Sequence, residues 1–118
     1  MDTPTAAPAP PPSWWIGRSR AGEDARIAPT GELDLDRVGD LRAALAWAEG
    51  TDAACVVVDL RDTTFIDVRT LGTLLLAHHR LEIGGRALLV VHGPRQVRRL
   101  FELARLEDTL YFVDGDAD

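Results

Sequence analysis

The stretch Val56-Val57-Val58-Asp59-Leu60-Arg61-Asp62-Thr63-Thr64-Phe65-Ile66-Asp67-Val68-Arg69-Thr70-Leu71-Gly72-Thr73-Leu74-Leu75-Leu76 sets an apolar run, a polar loop and a second apolar run directly after one another. The first run is short and β-branched, the pattern of a strand covered on both faces. It is read here as the central strand. After the turn residues Arg61 to Thr64, Phe65 and Ile66 restore apolar character. Asp67 then stands where a helix start needs a short side-chain acceptor for its unpaired N–H groups. Leu71, Leu74, Leu75 and His78 recur at helical spacing and give the following helix an apolar face.

Upstream, two short strands are expected over Trp14 to Ser19 and Asp24 to Thr30, joined by a turn at Ala21-Gly22-Glu23. Pro29 limits the pairing of the second, and the adjacent tryptophans point to opposite faces. Gly31-Glu32-Leu33-Asp34-Leu35-Asp36 closes that strand, and Asp36 is the expected N-cap of a helix reaching about Ala48. Val38, Leu41, Leu45 and Ala48 share its buried face, and Gly39 weakens its first turn. Downstream, Gly84-Gly85 stops the Asp67 helix and Arg86 to His92 supplies a strand. Gly93-Pro94 opens a third helix with a buried stripe of Val97, Leu100, Phe101 and Ala104, and Leu110 to Val113 is the last strand. The alternation of strand and helix predicts an α/β fold: one domain over residues 14–113, with a mixed sheet of four to five strands and about three helices.

Residues 1–13 form a proline- and alanine-rich tail whose composition buries too little to fold, and 114–118 are an acidic end. A net charge of −6 argues against sequence-independent nucleic-acid binding, which depends on neutralising phosphates. All 13 basic residues are arginine, a choice attributable to codon usage rather than chemistry. Cys55, alone in the chain, enters the central strand as a buried, inert thiol. No apolar run approaches the ~18 residues of a membrane span, and the N-terminus lacks a signal-peptide core. The expected location is the cytoplasm, without membrane insertion.

The tract Phe65-Ile66-Asp67-Val68-Arg69-Thr70-Leu71-Gly72, together with Gly31-Glu32-Leu33-Asp34, resembles the signature of STAS domains, the family of bacterial anti-sigma factor antagonists. The likeness covers roughly residues 14 to 113. In that family the first tract usually reads Phe-(Ile/Met)-Asp-Ser-(Ser/Ala)-Gly-Leu-Gly, and a partner anti-sigma kinase phosphorylates the serine. Val68 stands at the serine's position and has no hydroxyl to modify. Arg69 replaces a small residue and Thr70 replaces the glycine. The resemblance implies a non-enzymatic module of transcription regulation. It would bind an anti-sigma factor or serine-kinase-like regulator through Asp34, Asp67, Val68, Arg69, Thr70, Leu71 and Gly72, with its partner switching by phosphorylation lost. It implies no cofactor.

Among the remaining hydroxyls, Thr70 is the candidate substitute phosphate acceptor, with Thr63 and Thr64 nearby. Asp34 reads equally well as a turn cap or as a partner contact. Two other readings stay open: an accessory subunit of a transporter ATPase, and a sensor holding a small anion or nucleotide at the N-terminus of the Asp67 helix with Arg69. Most members of the family continue into a fourth helix after the last strand, so here either some apolar surface is exposed or a partner chain covers it, a homodimer being one way. His78 and His79 lie about 100° apart on a helix, and no metal site is expected from them. Paired carboxylates at Asp34 and Asp67 lack a neighbouring nucleophile or oxyanion hole, and no enzyme activity is expected.

Overall fold

The computed structural model describes residues 16–113. In chain order these form β1 (Ile16–Ala21), β2 (Asp24–Pro29), β3 (Gly31–Leu33), a 3-10 turn (Leu35–Arg37), α1 (Val38–Glu49), β4 (Cys55–Asp59) and β5 (Thr63–Ile66). They continue through α2 (Val68–Ile83), β6 (Ala87–Val91), α3 (Arg95–Leu103) and β7 (Tyr111–Val113). Val56, Val57 and Val58 are all buried, as their β-branched run predicts, and β4 lies at the middle of a five-stranded sheet ordered β1-β2-β4-β6-β7. The hairpin β1–β2 is antiparallel, and β2–β4, β4–β6 and β6–β7 are parallel, so the sheet is mixed.

Neighbouring residues of one strand show that helices cover both faces. Tyr111 sets its ring edge against His78 of α2, with centroids 5.7 Å apart, while Phe112 meets Phe101 of α3 at 5.1 Å. Successive strand side chains point to opposite faces, which places α2 and α3 on opposite sides of the sheet. The helix α1 packs with α2 and against β1 and β2, burying Val38, Leu41, Ala44, Leu45 and Ala48. Arg80 clamps the two helices by a bidentate pair to Glu49, both contacts 2.8 Å. At the end of α1, Arg86 donates to the carbonyls of Ala48, Glu49, Thr51 and Ala53, satisfying acceptors that the helix C-terminus leaves open.

Several boundaries depart from expectation. Asp36 does not cap a helix. Asp34 caps a 3-10 turn, and α1 then begins without a side-chain cap, consistent with Gly39 loosening its start. Ala104 ends α3 on the exposed side, leaving Val97 and Phe101 as the buried stripe with Leu100 partly covered. Pro29 stays in the ladder opposite Ile16, and its carbonyl accepts from the buried Thr63 hydroxyl at 3.0 Å. Trp14, Trp15, the tail 1–13 and the end 114–118 lie outside the described residues. Cys55 is half-buried, and burial, with the Asp24 charge, pushes its thiol up. That shift disfavours the reactive thiolate.

Candidate functional site

A second, two-stranded sheet builds the site. Gly31 adopts φ 84°, a left-handed conformation suited to glycine, and turns the chain from β2 into β3. There β3 runs parallel to β5 with Leu33 opposite Ile66. Both strands end at that pair. The next residues, Asp34 and Asp67, therefore leave from the same end of the ribbon, and each starts the helical element that follows it.

The two aspartates do the same job to different extents. Asp67 accepts at one oxygen from the backbone N–H of Arg69 (3.0 Å) and of Thr70 (3.1 Å), a two-bond cap on the sixteen-residue α2. Asp34 accepts from Asp36 N–H at 3.0 Å and meets the Arg37 guanidinium at 3.5 Å. Thr70 links the turns. Its hydroxyl donates to the Leu33 carbonyl at 3.1 Å and lies 3.4 Å from the Asp67 carboxylate.

Behind the site, Asp59 ties the end of β4 to the loop that leads into β5. One oxygen accepts from Arg61 N–H and Nε, both at 3.0 Å, and the other from the Arg61 and Arg26 guanidinium ends at 2.7 and 2.9 Å. Burial pushes this carboxyl up. The Arg61 hydrogen bonds and the charges of Arg61 and Arg26 outweigh it and hold Asp59 below the usual carboxylate value.

Three large apolar side chains close in sequence to the two caps are exposed. Val68 is 73% exposed, Leu35 52% and Phe65 49%. Val68 and Leu35 are each the first helical residue after a capping aspartate, and Phe65 is an outward position of β5. Arg69 and Gly72 are exposed on the same helix, and a Cβ at Gly72 would meet open space.

The sequence-derived site is thus split. Asp34, Asp67, Val68, Arg69 and Gly72 are at or near the surface, whereas Thr70 and Leu71 are buried and serve the core. Burial and the bond to Leu33 also remove Thr70 as a surface phosphate acceptor. Leu35 and Phe65 belong to the patch and were missed. Phe65 carried a signal, its alternation with the inward Ile66, whereas Leu35 is turned outward by the 3-10 turn after Asp34.

The N–H groups of Arg69 and Thr70 already bond the Asp67 carboxylate, which counts against the open reading of an anion held by them at the start of α2. Glu82 stands beside the two histidines of α2. One ligand atom from each of His78, His79 and Glu82 lies within 4.8 Å of the others.

The family model described as Mlab, STAS domain, matches residues 16–114. The chain belongs to the STAS domain family. No curated protein matches this STAS domain in sequence. Among solved structures it is similar to a putative anti-sigma factor antagonist from Thermotoga maritima, at 16% identity and a TM-score of 0.77, covering 86% of this chain and 88% of that one. An anti-sigma factor antagonist from Mycobacterium paratuberculosis matches at 19% identity and a TM-score of 0.76, covering 83% of each chain. The phosphorylated form of SpoIIAA, a Bacillus cell fate determinant, matches at 20% identity and a TM-score of 0.68, covering 87% of this chain and 93% of that one. At these identities the likeness establishes the anti-sigma factor antagonist fold. Among the described residues, no helix is long and apolar enough to cross a membrane.

Proposed function

We propose that this STAS domain is a cytoplasmic, non-enzymatic docking module that binds an anti-sigma factor or related serine-kinase-like regulator. The contact surface is the apolar patch of Leu35, Phe65 and Val68 between the capping residues Asp34 and Asp67, extended by Arg69 and Gly72. The observation that carries this reading is the exposure of three large apolar side chains around two satisfied helix caps. Exposed apolar groups gathered in one place mark partner surfaces, and the caps hold their backbone in a fixed shape. The two carboxylates use acceptor oxygens on backbone N–H groups, an arrangement suited to shaping a surface rather than moving protons.

In this proposal the phosphorylation switch is lost, because the exposed first residue of α2 is Val68. A phosphate there would add about 1.5 to 2 negative charges in the middle of the patch. Valine keeps the surface permanently apolar, so occupancy follows the abundance of the partner.

Affinity capture of the tagged full chain from its own host, with mass measurement of the complex, tests the reading. Recovery of an ATP-binding anti-sigma factor supports it, and the mass reports whether the chain enters as a homodimer. Recovery of a transport ATPase replaces it with the accessory-subunit reading. An empty capture contradicts both.

A further inference from the structure

The C-terminal half of α2 carries a polar cluster that the docking surface does not use. His78 is 4% exposed, its ring held edge-on by Tyr111, and its Nδ1 is buried without a hydrogen-bond partner. Its Nε2 faces the Glu82 carboxylate at 3.6 Å, beyond a good hydrogen bond. Buried polar atoms are nearly always satisfied, yet Nδ1 has no partner and Nε2 has only the long contact to Glu82. His79 completes the group, its ring 5.4 Å from that of His78 and tilted by 51°.

We propose that His78, His79 and Glu82 bind a divalent transition-metal ion of the zinc type. The spacing suits it, because His78 and Glu82 are one turn apart on the helix and His79 precedes Glu82 by three residues. Donor atoms within 4.8 Å of one another need to close to about 3.4 Å around an ion with bonds of about 2.1 Å. His79 and Glu82 are both exposed and can swing inward, while His78 is already fixed as the anchoring ligand. Two imidazoles and one carboxylate select zinc, cobalt, nickel or copper over magnesium and calcium, which prefer oxygen ligands.

Three protein ligands leave one tetrahedral position for water, as in open zinc sites. At 1.5 Å per residue the site lies roughly 15 Å along the helix from Val68. It is therefore separate from the docking patch and independent of the function proposed above.

The test is calorimetric titration of the untagged full chain with zinc chloride, paired with the visible absorption of the cobalt(II) form. The expected result is one zinc per chain, intense tetrahedral cobalt bands, and about tenfold or greater weakening in each of His79→Ala and Glu82→Gln. Both substituted side chains are exposed, so circular dichroism of the variants should match the parent. Absence of zinc binding to the parent chain overturns the proposal. So does either variant binding zinc as tightly as the parent.

Discussion

The two strand-to-helix turns, Leu33-Asp34-Leu35 and Ile66-Asp67-Val68, are built alike and hold differently. In each, a buried apolar residue ends a strand, an aspartate caps, and an exposed apolar residue begins the helical element. Asp67 makes two backbone bonds and heads a helix whose apolar face runs through the core, whereas Asp34 makes one and heads a single 3-10 turn with no buried residue. The difference teaches where rigidity comes from. A cap fixes a turn only as firmly as the element behind it is packed. The Asp67 side of the patch is therefore the stiff half and the Asp34 side the adjustable half.

Thr70 joins the halves through Leu33 and Asp67, and removing its hydroxyl is the strongest way to break the comparison. Thr70→Val leaves the buried Leu33 carbonyl without that donor and should cost about 1 to 3 kcal/mol in denaturant unfolding. Asp67→Ala should cost about 1 to 2 kcal/mol, and Asp34→Ala about half of that, because it loses one backbone bond on a short turn. Equal costs for the two caps would contradict the asymmetry.

Asp59 sharpens the picture through pH. Its folded carboxyl lies below the ordinary value of about 3.9, so its contribution is present above that pH and is lost as pH falls through the folded value. The stability gap between the parent chain and Asp59→Asn should be full at neutral pH and shrink below about pH 4, as followed by unfolding at a series of pH values. The smallest effect belongs to Val68. At 73% exposure, Val68→Ser or Val68→Glu should change stability by no more than about 0.5 kcal/mol.

Much of this was legible in residues whose neighbours in sequence are also their neighbours in space. The Val56–Val58 run, the Leu71 and Leu74 spacing and the Asp67 cap are local patterns, and the structure places them as read. Asp34 caps a turn, one of its two readings, but the helix cap expected at Asp36 is absent. Pairing of Leu33 with Ile66, a contact across 33 positions, ends the strand at the first. That Thr70, the candidate phosphate acceptor, is buried was not legible because its partner, Leu33, lies 37 residues away. Leu35 was overlooked because the 3-10 turn after Asp34, not a strand or helix period, sets its exposure. The approach of Glu82 to both histidines, one turn along α2, shows only in the fold.

The most direct test of the docking surface is the affinity of the captured partner for the parent chain and for Val68→Glu, measured side by side with their thermal unfolding. The account predicts unchanged unfolding and at least tenfold weaker binding, about 1.4 kcal/mol, because a charge is placed at the centre of an apolar contact. Equal affinity in a folded Val68→Glu variant would place the partner elsewhere on the domain and contradict the proposed surface.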